Sequence, residues 1–385
     1  MTDVYLSHNN IVSSLGFDSE TVINNIHNQV SGLQLIDDKN LLPQPFWSSI
    51  INTKALSERF KPLEGKGDFT RLEQMMITSL NHVIQASKIP LTKNVGLIIS
   101  TTKGNIDVLE KNNEFPEERA YLSVLGKKIK DFFKFENEAV VISNACVSGI
   151  LAVAVAKRYI QQGVYDHVFI VSGDLVTEFI LSGFNSFQAL SDAPCKPYCK
   201  NRSGINIGEV AASILVTNNK TNLVKEAVAV LGEGSCNDAN HISGPSRTGE
   251  GLFRSVTSAL KEANISSESI DYISAHGTAT PYNDEMEAIA FNRLGLQNVP
   301  TNSLKGYFGH TLGASGLLET IVGMHSLYNN TLYVSLGFET LGVTQPINII
   351  TQITPKKMNF FLKTASGFGG SNTAVIFEKV KKDKK

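Results

Sequence analysis

Short runs of β-branched and aliphatic residues alternate along the chain with longer stretches whose apolar positions recur at helical spacing. The short runs indicate buried strands and the longer stretches indicate helices packed on them. Strands are predicted at 94–100, 139–143, 167–172, 212–217, 271–275 and 373–378, and helices at 69–86, 150–162, 251–262, 284–294 and 316–328. This alternation is typical of an α/β layered fold.

Two segments with the same order of features indicate that the chain consists of two related halves. Ser148–Val155 and Ser315–Val322 each begin a helix rich in small residues, and each follows a polar turn that carries Cys146 or His310. Such helices can pack closely against each other or against a sheet. A chance likeness of two small-residue helices is the alternative. We expect a duplication, 1–218 and 219–385, with one active site where the halves meet.

Composition restricts the class of protein. The chain has 385 residues, 42% of them hydrophobic, and a formal net charge of −1, which gives no indication of nucleic-acid binding. Its four cysteines are too few for a disulfide scaffold and suit a reducing compartment. There is no apolar run of the ~18 residues that cross a bilayer, and Met1-Thr2-Asp3 does not begin a secretory signal. We expect a cytoplasmic protein without membrane insertion.

Cys146 is the first candidate for chemistry, because a β-branched run ends just before it and a small-residue helix begins just after it. Backbone N–H groups at a helix start favour an anion, so the pKa of a thiol placed there can be lowered from ~8.5 and the sulfur can act as a nucleophile. A buried thiol that only fills a strand–helix joint is the alternative.

Three later segments surround other reactive side chains with small residues. His276 follows a predicted strand in Ser274–Pro281, and His310 lies among four glycines in Asn302–Gly316. A glycine-rich turn, Ala365–Asn372, precedes the last strand, and its N–H groups could bind an anion. Each feature alone has a purely structural explanation. Their combination with a single thiol favours a catalytic site.

Together these segments resemble the motifs of the β-ketoacyl-acyl carrier protein synthases, the condensing enzymes of the thiolase superfamily. The matching elements are Ala-Cys-x-Ser/Thr-Gly at 145–149, His-Gly-Thr-x-Thr at 276–280, Lys-x-x-x-Gly-His-x-x-Gly-Ala-x-Gly at 305–316 and Gly-Phe-Gly-Gly-Thr/Ser-Asn at 367–372. The resemblance implies a duplicated thiolase-like fold with five αβαβα layers. The N-terminal half would carry the nucleophile, and the C-terminal half the two histidines and a gate loop.

The resemblance also implies a reaction. Cys146 would take an acyl group from an acyl carrier protein, and a malonyl thioester would then lose carbon dioxide and attack that group as a carbanion. No cofactor or metal is expected, since loss of carbon dioxide itself generates the carbanion. Acyl- and malonyl-phosphopantetheine on acyl carrier protein would be the substrates. The enzyme would be a homodimer or a heterodimer with a chain-length-factor-like subunit.

Carried over to this sequence, the family assigns His276 and His310 as N–H donors to the enolate oxygen. The N–H groups of Cys146 and Phe368 would form the oxyanion hole. Phe368 would also be a gate for the acyl chain, and Gly369 beside it would permit the backbone change.

Four further residues receive supporting roles from the resemblance. Lys305 would pair with Glu287 and hold the histidines in place. Thr278 and Thr280 would hydrogen-bond the pantetheine arm.

The segment Pro197–Gly204 departs from the family pattern Pro-Phe-Asp-x-x-Arg-Asp-Gly, because Cys199 and Ser203 replace its two acidic residues. This favours a divergent, specialised-pathway synthase. Cys195 and Cys199 could be half of a metal site, but no second ligand pair lies nearby in sequence.

Two other functions compete with an elongating synthase. A non-elongating chain-length-factor-like partner or an acyl-binding scaffold would share the fold, although such partners typically lack the cysteine. A thioester hydrolase is disfavoured because the chain has no Gly-x-Ser-x-Gly segment.

Overall fold

The computed structural model describes residues 2–64, 67–111, 113–238, 240–242 and 244–380. Its helices are α1 (Ser19–His27), α2 (Thr53–Phe60), α3 (Arg71–Ser87), α4 (Leu122–Phe133), α5 (Ser148–Gln161), α6 (Glu178–Ser186), α7 (Glu250–Ala263), α8 (Pro281–Arg293), α9 (Lys305–Phe308) and α10 (Ser315–Asn329). Its strands are β1 (Tyr5–Ser13), β2 (Gln34–Ile36), β3 (Phe46–Ser49), β4 (Val95–Ser100), β5 (Val140–Ile142), β6 (His167–Asp174), β7 (Ile207–Gly208), β8 (Val210–Thr217), β9 (Val228–Asn237), β10 (Tyr272–Ser274), β11 (Thr301–Asn302), β12 (Thr331–Leu332), β13 (Thr354–Pro355), β14 (Phe360–Gly367) and β15 (Ser371–Lys379).

A ten-stranded sheet runs through the molecule in the order β11-β10-β14-β15-β9-β1-β8-β6-β4-β5. Strands β4, β5 and β6 pair in parallel, as do β10, β11 and β14. The remaining neighbours, including the short β1–β9 junction, are antiparallel. Because parallel strands end at the same edge, the segments that follow β10 and β14 lie close together. β5 lies at the opposite end of the sheet order, and the segment after it reaches them where Asn144 Oδ1 accepts from the Ser371 hydroxyl at 2.8 Å.

Helices form the other layers. α5 and α10 contact each other and strands on both sides of the β1–β9 junction, whereas α3 covers β1, β6 and β8, and α7 covers β9 and β15. Three hydrophobic clusters fill the spaces: a central one around α5 and α10, one under α3, and one under α7 and α8. The layers therefore follow the predicted αβαβα order.

The small residues of α5 and α10 predicted close packing against each other or against a sheet, and in the structure the two helices contact each other. A Cβ atom on Gly149 would lie 2.7 Å from the carbonyl oxygen of Gly313, and one on Gly316 would lie 2.6 Å from the nitrogen of Ile150. Ordinary contact begins at 3.4 Å. The two helix starts can therefore meet only because both positions are glycine.

Every strand and helix predicted from the pattern is present in the structure, with ends shifted by a few residues. Elements without a strong periodic pattern were not predicted, such as α6, β9 and β14. Within the residues that the structure describes, no helix is long and apolar enough to span a membrane.

Candidate active site

Cys146 lies between β5 and α5, at the strand–helix joint that the sequence predicted, and 7% of it is exposed. The residue before it, Ala145, has φ 46°, a left-handed conformation that is strained for a residue with a Cβ. The Ser148 hydroxyl stabilises this turn, since it donates to the carbonyl of Ala145 at 2.7 Å and accepts from the nitrogen of Asn144 at 2.8 Å.

The expectation of a lowered thiol pKa at Cys146 is wrong for the resting site. Burial raises the pKa of Cys146 to about 12, and the Lys305 cation is the largest influence in the opposite direction. The backbone N–H of Phe368 donates towards the sulfur, which also lowers the pKa. Desolvation of the anion exceeds these effects because the sulfur is shielded from water.

His310 faces the thiol. Its Nε2 lies 3.1 Å from Cys146 Sγ, and its Nδ1 lies 3.1 Å from the Ser315 hydroxyl. The N–H of Leu312 donates to Nδ1 at 3.3 Å. Because Nδ1 accepts, the neutral ring carries its proton on Nε2, where it points at the sulfur.

His276 lies beside His310 just beyond the end of β10, with ring centroids 5.1 Å apart at 78°. Glu287 accepts from the backbone N–H groups of His276 at 2.9 Å and Gly277 at 2.7 Å, which orients the loop. Among the described residues, Nδ1 of His276 is buried without a hydrogen-bond partner. One donor atom from each of Cys146, His276 and His310 lies within 4.8 Å of the others.

Both histidines are neutral at physiological pH. The pKa values of His276 and His310 lie well below the ordinary 6.5, first because burial penalises the cation and second because Lys305 repels it. A neutral imidazole in this setting keeps one N–H donor for an oxygen that gains negative charge.

The predicted pairing of Lys305 with Glu287 is wrong. Lys305 forms a fully buried ion pair with Glu319 of α10, and Glu319 Oε2 also lies 2.8 Å from Lys363 Nζ. Glu287 instead accepts from backbone N–H groups and, at 3.0 Å, from the Tyr198 hydroxyl. Lys305 reaches Glu319 because that residue lies one turn into α10, the helix that directly follows the loop of Lys305.

A cavity of about 470 Å³ opens onto the thiol and both histidines. Thr278 and Thr280 line it and share a hydrogen bond of 2.8 Å between their hydroxyls. Phe368 also lines it and contacts Phe184 and Phe187, with ring centroids 5.6 and 5.5 Å away. Gly369 has φ 82°, so the backbone turn after Phe368 requires glycine.

Among the described residues, Cys146, His276 and His310 are the only acidic, cysteine or histidine cluster of three or more with metal-ligand spacing. Cys195 and Cys199 are both buried, and Cys195 donates its S–H to the carbonyl of Lys305 at 3.2 Å. They do not form a metal-ligand cluster within that part of the chain.

Four further residues of the site were not predicted from the sequence: Glu319, Lys363, Phe184 and Phe187. Glu319 and Lys363 had a usable signal, because each is a lone charge inside an apolar segment, and such a charge must find a partner when buried. The two phenylalanines had none, because their approach to Phe368 depends on how α6 packs.

Together, the layered fold and the buried cysteine at the start of a central helix define a thiolase-like protein. The N-terminal domain model of beta-ketoacyl synthase matches residues 37–222, and its C-terminal domain model matches residues 227–339. The chain belongs to the beta-ketoacyl synthase family.

Named relatives support this family assignment. 3-oxoacyl-[acyl-carrier-protein] synthase 2 of Rhizobium meliloti is 33% identical over 63% of this chain and 61% of that protein. The protein of the same name from Coxiella burnetii is 28% identical over 74% of this chain and 75% of that protein. The match thus spans only about three fifths of the length of the Rhizobium protein.

Solved structures show the same fold. The structure of the ketosynthase ApeO with its chain length factor ApeC from Xenorhabdus doucetiae matches with a TM-score of 0.86 and 24% identity, over 98% of each chain. The ishigamide ketosynthase/chain length factor structure matches with a TM-score of 0.90 and 22% identity, over 99% of this chain and 100% of that one.

Proposed function

We propose that this protein is a 3-oxoacyl-[acyl carrier protein] synthase that extends an acyl group held on Cys146 in fatty-acid or polyketide/polyene synthesis. The observation that carries the proposal is the convergence of one thiol and two neutral histidines in the lining of one cavity. One histidine N–H donor is enough to assist a nucleophilic thiol. A carbanion formed by decarboxylation needs more than one hydrogen-bond donor to its enolate oxygen.

Acyl transfer comes first. The Cys146 sulfur attacks the carbonyl carbon of the acyl thioester, its proton leaves with the carrier thiol, and the acyl group remains on sulfur. The N–H groups of Cys146 and Phe368 hold the oxyanion of the tetrahedral intermediate, and each is worth roughly 100- to 1000-fold in rate. His310 Nε2–H, 3.1 Å from the sulfur, stabilises the thiolate as it develops.

Condensation follows. The bond between the malonyl α-carbon and its carboxylate breaks, carbon dioxide leaves, and the electron pair remains as an enolate. His276 and His310 donate N–H groups to the enolate oxygen. The α-carbon then attacks the acyl carbonyl, the C–S bond breaks, and the released Cys146 thiolate takes up a proton from solvent.

The acyl carrier protein would deliver both groups on its phosphopantetheine arm. Thr278 and Thr280 line the same cavity as the histidines and the exposed Tyr282, which supports their contact with the arm. Phe368 would act as the gate, since its packing on Phe184 and Phe187 is all aromatic and can be exchanged for an acyl chain.

A second subunit fits the edge of the sheet. β5, which leads directly to Cys146, is the last strand in the sheet order and is only half buried. An exposed edge strand favours pairing with another chain. We propose a homodimer or a heterodimer with a chain-length-factor-like subunit, in keeping with the ketosynthase–chain length factor structures that share the fold.

The same resemblance supports the alternative that this chain is itself a non-elongating chain-length-factor-like partner or an acyl-binding scaffold. Retention of Cys146, His276 and His310 in contact geometry favours the active enzyme. We also propose that 1–218 and 219–385 are the duplicated halves, because their strands occupy opposite sides of the β1–β9 junction. The free thiols support a cytoplasmic location.

Incubation with acyl- and malonyl-acyl carrier protein tests the proposal. We expect a mass increase of one acyl group on Cys146, release of carbon dioxide, and a 3-oxoacyl thioester two carbons longer than the acyl group. An unmodified Cys146 together with no carbon dioxide would reject the enzyme and leave the partner or scaffold function.

A further inference from the structure

One buried charge takes no part in the steps above. Lys363, in the middle of β14, is 0% exposed and does not line the cavity. Its ammonium group nevertheless lies behind the histidines, since the segment that it contacts leads directly to His276. A lysine this deeply buried is rare unless it is paired.

The ammonium group is surrounded by oxygen atoms. It donates to the carbonyl oxygens of Ser274 at 3.1 Å, Ala275 at 3.3 Å and Thr364 at 2.5 Å. Glu319 Oε2 lies 2.8 Å from it. Three backbone carbonyls and one carboxylate are the kind of ligand that hard metal cations take in proteins.

We propose that the Lys363 ammonium is a built-in cation that occupies an oxygen cage otherwise suited to a metal ion, and that it positions His276 relative to His310. The proposal rests on the proposed function for its activity readout. Lys363 is a positioning residue, because its ammonium group touches the framework of the site and does not line the substrate cavity.

The contacts explain how one group can influence both histidines. The carbonyls of Ser274 and Ala275 immediately precede His276, so the ammonium fixes the end of β10. Glu319 connects the ammonium to Lys305, at the start of the loop that carries His310. Without the ammonium, buried carbonyls lose their donor and Glu319 keeps a single cation, both of which are costly in a buried site.

The test compares two replacements that differ in whether they leave the cage open. Lys363→Ser removes the ammonium and leaves space, whereas Lys363→Met fills that space with an uncharged chain of similar length. We expect both to reduce malonyl decarboxylation by about 100-fold through misplacement of His276. Acylation of Cys146, which does not need His276, should fall much less.

Chemical rescue of Lys363→Ser tests whether the oxygen cage can bind a free cation. Ammonium chloride or potassium chloride should restore most of the lost decarboxylation to Lys363→Ser and should raise its melting temperature. Neither salt should affect Lys363→Met or the wild-type protein beyond their common ionic-strength effect. Lys157→Ala is the matched control, because Lys157 is equally buried, pairs with Glu262 at 2.5 Å and lies in α5. Its defect should not respond to either cation.

Normal decarboxylation by Lys363→Ser, or a loss that is equal in both half-reactions and insensitive to either salt, would overturn the proposal. If Lys363→Ser does not fold, Lys363→Met supplies the comparison of half-reactions, and an equal loss in both again rejects it. If the wild-type protein is inactive in the same assay, the proposed function fails instead, and the melting temperature of Lys363→Ser with added cations still tests the cage.

Discussion

Replacement of Gly149 by alanine tests the geometry that joins the two halves of the site. Gly149 is the second residue of α5, three positions after Cys146, and it meets α10 just beyond the loop that carries His310. The added methyl carbon would lie 2.7 Å from both Gly313 O and Leu317 N, where ordinary contact begins at 3.4 Å. Both neighbours are backbone atoms, so neither can rotate away.

The size of the effect follows from these distances. To accept the methyl group, the helix starts must separate by up to about 0.7 Å, and overpacking of this kind costs ~1–3 kcal/mol of unfolding free energy. Alanine returns ~0.5–1 kcal/mol through its better helix propensity, so a net loss remains. The same separation would lengthen and so weaken the 3.1 Å contact between Cys146 Sγ and His310 Nε2.

Two measurements check this prediction: thermal unfolding, and the rate of acyl loading onto Cys146 by mass spectrometry. We expect a lower melting temperature and loading reduced by about 100-fold. Gly183→Ala is the control, because nothing lies within 4 Å of its added Cβ atom, and it should be neutral or stabilising. If Gly149→Ala behaves like Gly183→Ala, then the crossing of α5 and α10 does not set the geometry of the site.

Four other predictions concern the reacting groups and the cation beside them. Cys146→Ala should abolish the acyl mass increase, whereas Cys146→Gln should leave malonyl decarboxylation running, as labelled carbon dioxide would show. His276→Ala should allow acylation but block decarboxylation, and equal loss of both half-reactions in that variant would contradict its assigned role. His310→Ala should block decarboxylation and also slow acylation, because its ring contacts the Cys146 sulfur. Because the pKa values of both histidines lie well below 6.5, decarboxylation by Cys146→Gln should stay constant from neutral pH upwards and fall only in acid. A second substitution in the Cys146→Gln protein, Lys305→Met, removes a cation that lowers the histidine pKa values. The fall in decarboxylation rate in acid should therefore begin at higher pH, and an unchanged pH profile would contradict this effect.

Cys146 and His276 could be predicted from the sequence because each of them closely follows a predicted strand. A thiol after a β-branched run and a histidine after another run must both lie at strand ends. That the two ends meet did not follow from strand pairing, since β5 and β10 lie near opposite ends of the sheet order. Small residues at the starts of α5 and α10 predicted close packing against each other or a sheet, because a short side chain lets two backbones approach. These features depend on local pattern, which one sequence displays directly.

The supporting charges could not be assigned in the same way. Glu287 and Glu319 are both acidic residues in buried helices of the second half, and sequence spacing does not decide which one reaches Lys305. The choice depends on which helix packs against the loop. The lone charge of Lys363 in β14 predicts a partner, but three of its four oxygen contacts are backbone carbonyls, which no side-chain pattern reveals.

The resting site is arranged to stabilise anions that form only during the reaction. Burial raises the pKa of the Cys146 thiol to about 12 and keeps both histidines neutral, so the groups facing the cavity carry no charge before substrate arrives. Behind them, two lysines share one carboxylate, Glu319, which leaves a positive field directed at the same place. The thiolate, the tetrahedral oxyanion and the enolate all form there in turn. A fixed positive field beside the cavity stabilises each anion without rearrangement, and the histidine N–H groups add the directed hydrogen bonds that distinguish the enolate oxygen from the others.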